Sequence, residues 1–187
     1  KYLTFDKKDF KENKFKYDDQ TNTWSLRRVD GWRTTLNVLA VIADAKEDMR
    51  PGANDYRIVV QLGEDEKSAA YVVVEFYNDN TFHKLLTFMK DNGQNLVETS
   101  SGTLIKNQAF YGDYSLELTM QQHIISRTSA RTADRKAVKN VDESYNEYEF
   151  IIQTNVEPWS EYLERKAAKK AKRDAKGKKK QSVDELM

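Results

Sequence analysis

The 187-residue chain contains no cysteine, two prolines, seven glycines and two histidines. Without cysteine it can form no disulfide scaffold, no thiolate metal site and no thiol nucleophile. No stretch approaches the roughly 18 apolar residues that a transmembrane helix needs, so we do not expect the chain to span a membrane. The sequence also lacks a phosphate-cradling glycine-rich loop, a nucleophile elbow and a helical zinc motif. We therefore expect no enzyme, no metal and no cofactor, although a catalytic site assembled from scattered residues stays open.

The few residues suited to catalysis or metal binding are poorly arranged for it. Neither His83 nor His123 has a second histidine or a carboxylate at a spacing typical of a metal site or a proton relay, so we predict structural or surface roles for both. The adjacent carboxylates flank predicted turns, and solvated turns explain them better than a metal site does. These carboxylates are Asp18–Asp19, Glu64–Asp65–Glu66 and Asp142–Glu143.

Opposite charges are separated along the chain, which has 31 basic and 30 acidic residues and a net charge of +1. The stretch from Arg165 to Lys180 alone contains ten basic residues and one acid, a charge of +9. The remainder has 21 basic and 29 acidic residues, a charge of −8. Such asymmetry is typical of an interaction tail on a separate body, whereas a lysine-rich end kept for solubility is the simpler alternative.

The hydrophobic pattern changes period along the chain and predicts strands followed by a helix, twice. Apolar alternation predicts strands at Thr23–Val29, Thr34–Ile42, Tyr56–Leu62 and Ala69–Tyr77. The stripe Phe82, Leu85, Leu86 and Met89 then predicts a helix that begins near Asp79, Asn80 or Thr81 and ends at Asn92–Gly93. Further strands are predicted at Asn95–Thr99, Thr103–Phe110, Tyr114–Ile125 and Tyr145–Val156, and Glu157–Pro158 opens a second helix.

This order predicts an α+β fold, a mostly antiparallel sheet in a strands–helix order that occurs twice, with a basic C-terminal helical arm. We predict an N-terminal segment at residues 1–22, an α+β domain at 23–164 and the basic arm at 165–187. The first residue is Lys1 rather than Met, which fits a removed targeting peptide, and also fits a chain whose N-terminal part is not included.

Two basic segments are the candidate binding sites. In the arm, Lys166, Lys169, Lys170 and Arg173 would line one side of a helix, where like charges repel until a polyanion relieves them. The second segment runs from Arg127 to Lys139 and is either a mobile loop or an arm whose arginines, four residues apart, share one helical face on a partner. The predicted binding residues are Lys166, Lys169, Lys170, Lys172, Arg173, Lys176, Lys178, Lys179, Lys180, Arg127, Arg131 and Arg135.

The order of four strands and a helix, repeated over about 150 residues, resembles the Whirly single-stranded DNA-binding fold and the related kinetoplastid mitochondrial RNA-binding proteins. The segment Trp24-Ser25-Leu26-Arg27-Arg28-Val29-Asp30-Gly31 is compatible with an early strand and turn of that fold. The resemblance implies a sheet that holds single strands with basic and aromatic residues, and tetramers formed through the helices. The Lys-Gly-Lys-Ala-Ala-Leu motif of plant Whirly proteins is absent, and the acidic body departs from their basic sheet. The acidic mitochondrial matrix proteins that form doughnut-shaped trimers also pair an acidic body with an antiparallel sheet.

Together these observations predict a non-enzymatic protein that binds RNA or single-stranded nucleic acid through its arm, as a component of an organellar ribonucleoprotein. The alternative is a structural or assembly subunit of a large multiprotein complex, in which the arm docks on an acidic protein surface. Either function implies an oligomer or a larger complex. The non-Met start and the resemblance favour the mitochondrial matrix or a plastid.

Overall fold

Eight strands form one antiparallel sheet in a computed structural model that describes residues 3–29, 51–128 and 140–184, with side chains for all of these except 125–128, 140–143 and 175–184. The predicted strand Thr34–Ile42 lies outside the described residues. The spatial order is β1-β2-β3-β4-β8-β7-β6-β5, so that β8 joins the two halves by pairing with both β4 and β7. The strands are β1 Lys16–Asp18, β2 Thr23–Arg28, β3 Tyr56–Leu62, β4 Ala69–Phe76, β5 Gln94–Ser101, β6 Leu104–Tyr111, β7 Tyr114–Thr128 and β8 Asn140–Gln153.

Three helices are described, namely α1 Lys7–Glu12, α2 Asp79–Asn92 and α3 Trp159–Asp184. Of the strands in the described residues, four precede α2 and four lie between α2 and α3, which confirms the predicted α+β class, the strands–helix order that occurs twice, and the helical C-terminal arm. None of the helices in the described ranges is long and apolar enough to cross a membrane.

The alternating pattern of the strands places most of their buried apolar residues on one face of the sheet, which we call the core face. Helix α2 covers the β6–β8 half of this face and buries Phe82 and Met89 against Leu118 and Tyr148. The N-cap of the helix is Asn78, one residue before the predicted caps, because the Asn78 side chain accepts a hydrogen bond from the Thr81 N–H at 2.9 Å. The helix ends at Gly93, where a Cβ atom would lie 2.4 Å from the Met89 carbonyl oxygen, so only glycine fits.

The N-terminal residues complete the core over the other half of the sheet. Phe10 of α1 is only 3% exposed, and its ring stacks on Trp24 of β2 with centroids 4.9 Å apart. Phe5 and Phe15 lie against Phe10 on either side, at 5.3 and 5.1 Å. Strand β1 then pairs with β2 and forms one edge of the sheet. Residues 3–22, which fall within the predicted N-terminal segment 1–22, therefore contribute a helix, a strand and core side chains to the same sheet.

The residues that alternate with the core residues form the opposite face of the sheet. Its centre carries four glutamates, Glu75 on β4, Glu117 on β7 and Glu147 and Glu149 on β8. A half-buried apolar row of Val59, Val73 and Ile151 crosses the same face through directly paired positions. The centre of the opposite face is therefore acidic.

Candidate nucleic-acid interface

The C-terminal helix α3 starts against the end of strand β3 and then leaves the sheet. The Trp159 N–H donates to Gln61 Oε1 at 3.4 Å, and Gly63 approaches Val156 so closely that a Cβ at Gly63 would lie 2.5 Å from Val156 Cγ1. A helix of this length spans roughly 39 Å at about 1.5 Å per residue. Every residue from Leu163 to Asp174 is exposed. The cationic part of the arm is thus the free continuation of a helix whose first turn is attached to the sheet.

Arg165, the first cation of the predicted arm, is used to attach the helix. Its guanidinium donates two hydrogen bonds to Glu157, from Nε to Oε1 at 2.9 Å and from Nη2 to Oε2 at 2.7 Å. Glu64, from the turn between β3 and β4, adds a looser contact at 3.6 Å. The hydrogen bond with Arg165 lowers the pKa of Glu157 and raises that of Arg165. Such a bidentate pair fixes the orientation of both side chains.

The cations that follow Arg165 have no such partner. Lys169, Lys170, Lys172 and Arg173 are exposed and form no ion pair with any residue in the described part of the chain, and Lys166 lies over the Tyr162 ring at 5.6 Å. Because the segment is helical, Lys166, Lys169, Lys170 and Arg173 share one side of it, as the spacing predicts. The backbone of Lys176, Lys178, Lys179 and Lys180 belongs to the same helix.

The second predicted basic segment begins in a strand. Arg127 lies in β7, with its Cα paired to Val141 of β8, so the first residues of this segment are part of a hairpin and not of a loop. The β7–β8 pairing runs without interruption from Ser115–Gln153 to Thr128–Asn140, and β8 therefore begins five residues before its predicted start. Arg131 and Arg135 lie outside the described residues.

The electrostatics of the opposite face argue against phosphate binding at its centre. Burial raises the pKa of Glu149, and Glu75, Glu117 and Glu147 raise it further, while Lys106 lowers it. Two of these neighbours are paired, Glu75 with Arg57 at 3.0 Å and Glu117 with Lys106 at 2.8 Å. A phosphate chain laid across these carboxylates would meet repulsion from each of them.

His123, for which a structural or surface role is predicted, has a carboxylate partner on the neighbouring strand that its spacing in the sequence does not indicate. Its Nε2 lies 2.8 Å from Glu147 Oε2, and its ring stacks on Tyr145 with centroids 4.9 Å apart. The β7–β8 register places Tyr145 directly opposite His123 and Glu147 diagonally across from it, a relation that a sequence separation of 24 does not reveal. His83 is exposed on α2 beside Phe82, as a surface residue.

Of the adjacent carboxylates, Asp18 and Asp65 accept hydrogen bonds within turns, whereas the backbone of Asp142–Glu143, predicted to flank a turn, belongs to strand β8. Asp18 accepts hydrogen bonds from the Gln20 N–H and the Thr21 hydroxyl. Asp65 accepts hydrogen bonds from the Lys67 and Ser68 N–H groups and from the Ser68 hydroxyl, which lower its pKa against the opposing effect of burial. Within residues 3–29, 51–128 and 140–184, no three His, Asp or Glu side chains are placed to hold a metal ion.

No protein-family model, curated protein or solved structure matches the chain. Its function must therefore be inferred from its own residues.

Proposed function

We propose that this chain is a non-enzymatic protein that binds RNA or another single-stranded nucleic acid through helix α3, as a component of an organellar ribonucleoprotein related to the Whirly and kinetoplastid RNA-binding proteins. The observation that carries the proposal is the run of exposed, unpaired cations from Lys169 to Arg173 on a helix that leaves the sheet.

Repulsion within the helix supplies the driving force. Lys166 and Lys170, and Lys169 and Arg173, are four residues apart, a spacing at which like charges destabilise an isolated helix. A phosphate chain along this side would replace repulsion with attraction and release its condensed counterions. The surface supplied by α3 has no base-reading groove, so this part of the affinity is expected to depend on charge and not on base sequence.

The carboxylates of the opposite face argue against a phosphate-binding site on the sheet itself. With Glu75, Glu117, Glu147 and Glu149 at its centre, the sheet is a poor path for phosphates. The Arg165–Glu157 pair attaches the helix base and leaves the later cations free. The arm is therefore the region that offers phosphates cations without opposing carboxylates.

The test is the affinity of the full chain for a random 20-nucleotide single-stranded RNA, measured by fluorescence anisotropy between 50 and 300 mM salt. Removal of residues 166–187 should lower affinity by roughly a hundredfold or more at low salt, because most phosphate contacts are lost. Replacement of Lys169, Lys170 and Arg173 by Gln should flatten the slope of log affinity against log salt by about 2, since each single-strand phosphate contact contributes about 0.7.

The matched control replaces three exposed cations of the body, Lys11, Lys84 and Lys90, by Gln. This variant has the same net charge as the arm variant and should bind nearly as the unchanged chain does. If both triple variants weaken binding equally, the binding follows net charge and not the arm. If truncation leaves affinity and salt dependence unchanged, the proposal is wrong.

A second candidate function is that of an assembly subunit whose arm docks on an acidic protein. Exposed apolar residues on helix α3, beside its cations, favour this function. Leu163 is 42% exposed, and Ala167 and Ala171 follow at intervals of four residues, all exposed. A stripe of this kind suits contact with another protein along i, i+4 positions. Nuclease treatment of the isolated native complex separates the two functions, because RNA digestion should release a chain held by RNA and should retain one held by protein.

A further inference from the structure

Two adjoining cavities lie at the end of the sheet away from the base of helix α3, and Tyr77 lines both. Helix α3 starts beside Gln61, near the end of strand β3, whereas the two cavities lie beside Tyr56 and Arg57, where β3 begins. The first cavity, of about 180 Å³, is lined by Arg27, Arg28, Asp55, Arg57, Glu75 and Tyr77. The second, of about 300 Å³, is lined by Tyr77, Asp79, Gln122, Ser144, Tyr145 and Asn146.

The first cavity holds more cations than the surrounding carboxylates neutralise. Arg27 and Arg57 are directly opposite each other in the β2–β3 register, an arrangement in which like charges destabilise a sheet. Arg57 is paired with Glu75 at 3.0 Å, but neither Arg27 nor Arg28 has an ion-pair partner among the described residues. An anion beside Arg27 and Arg57 would relieve their repulsion. The planar, two-pronged guanidinium makes phosphate the anion of choice.

The second cavity offers an aromatic surface and polar groups. The Tyr145 ring is stacked on His123 at an interplanar angle of 15° and lies 6.3 Å from the Tyr77 ring. Glu147 holds this row in place, because it contacts His123 Nε2 at 2.8 Å and accepts a hydrogen bond from the Tyr77 hydroxyl at 3.4 Å. Ordered aromatic rings next to amide and carboxylate groups are the chemistry that recognises an unstacked base.

The sheet topology explains why a cavity exists here. Pairing between β4 and β8 ends at Phe76–Tyr148, and the chain then turns away into helix α2. Strand β8 nevertheless continues alongside β7, so its Ser144–Asn146 stretch has no β4 residue beside it. The second cavity occupies this position, two strands across from Arg57 and about four residues, or roughly 13 Å, along β8 from Glu149, the β8 residue in line with Arg57. Because Tyr77 lines both cavities, they adjoin, and one nucleotide can place its phosphate in the first cavity and its base in the second.

We propose that the two cavities form a subsite for one unpaired nucleotide of a bound single strand. Arg27 and Arg57 hold its phosphate, and its base stacks in the second cavity on the Tyr145 ring, whose other face is covered by His123. The subsite rests on the proposed function, since a single strand supplies the nucleotide, but it uses none of the cations of helix α3. The subsite contacts a base, whereas binding by helix α3 depends on charge alone.

The test uses the full chain and two 12-nucleotide RNAs, one normal and one with an abasic sugar–phosphate backbone. Tyr145→Leu should weaken binding of the normal RNA about tenfold, the usual value of one base stack, and should leave binding of the abasic RNA unchanged. Arg27→Gln should weaken binding of both RNAs and lower the salt slope by about 0.7. Tyr111→Leu and Lys84→Gln, at exposed positions elsewhere, are the matched controls and should change neither RNA.

Ultraviolet cross-linking of the unaltered chain to a 4-thiouridine RNA provides a test that does not depend on any variant folding. A cross-linked peptide containing Tyr77 or Tyr145 supports the subsite. Cross-links confined to helix α3, or a Tyr145→Leu chain that folds and binds both RNAs normally, overturn it while leaving the proposed function intact. If the unaltered chain binds no single strand at all, the proposed function and the subsite both fail.

Discussion

The sheet body and helix α3 use the same charged residue types in opposite ways. On the body, several cations face a carboxylate, as Lys7 faces Glu66, Arg57 faces Glu75 and Lys106 faces Glu117. On the helix, Arg165 alone among the described cations is paired in this way. These paired charges on the body therefore support the folded structure, whereas the exposed cations beyond Arg165 form no ion pair with the described residues and are available to a partner. A change to a packed or paired residue of the body should alter unfolding, and a change to an exposed cation of the outer helix should alter binding without altering unfolding.

The largest effect on the body is expected from Phe10→Ala. Truncation of a buried phenylalanine costs about 3–5 kcal/mol of unfolding free energy, and Phe10 contacts Phe5, Phe15 and Trp24. The thermal midpoint should fall by about 10 °C or more. Phe110→Ala is the matched control, since Phe110 is 52% exposed and should change the midpoint little. Equal midpoints for both variants would show that the N-terminal residues do not belong to the body.

A smaller effect is expected from Tyr148→Phe. The Tyr148 ring is stacked on Phe76 and Phe82, and its hydroxyl donates to Asp79 in the first turn of α2. Loss of this hydrogen bond should cost about 1 kcal/mol by chemical denaturation, because Asp79 is exposed and water can replace the lost donor. Tyr111→Phe, at an exposed hydroxyl, should cost almost nothing.

The same residue predicts a dependence on alkaline pH. Burial, and then the hydrogen bond to Asp79, raise the pKa of Tyr148 to about 12 from 10.0. Between these pH values the folded chain keeps the Tyr148 proton, whereas the unfolded chain releases it. The stabilisation that Tyr148 gives to the folded state is therefore complete below pH 10 and is lost as pH rises towards 12. Denaturation curves from pH 9 to 12 should show a steeper loss of stability for the unaltered chain than for Tyr148→Phe. Parallel curves would contradict this assignment.

The smallest effect is expected from Arg165→Gln, which tests the boundary between the two regions. The substitution removes the pair with Glu157 and the contact with Glu64, so amides near the base of α3 should exchange with solvent modestly faster while the thermal midpoint of the body stays unchanged. Lys172→Gln removes the same charge from the same helix without breaking a pair and should leave this exchange unchanged. Similar exchange in the two variants would mean that Arg165 does not attach the helix.

Local pattern was sufficient for several elements of this fold. The strand Tyr56–Leu62 has the same bounds as its alternation predicts, and the stripe from Phe82 to Met89 identifies helix α2. The N-terminal helix was not predicted, because residues 1–16 mix charges and aromatics without a helical or strand period. Its stability comes from packing Phe10 onto Trp24, a contact between separate elements.

The candidate sites were likewise predicted from the sequence only in part. The cations of the arm follow from composition and spacing alone, and their exposure agrees with the high charge of the segment. The Arg165 attachment was not predicted, because Glu157 lies eight residues away, outside the usual helical pair spacings, and Glu64 lies in a distant turn. The opposition of Arg27 to Arg57 likewise depends on strand register, which composition does not specify.

The sequence by itself determined the separation of an acidic body from a basic arm, the change of period between strands and helices, and the helical form of that arm. These properties depend on neighbours a few residues apart, so they can be read along the chain. Only the tertiary structure decided that β8 lies between β4 and β7, that His123 meets Glu147, and that Arg27, Arg57, Tyr77 and Tyr145 lie at one end of the sheet. Those relations depend on which strands pair and in which register, and burial of the whole core face selects that pairing.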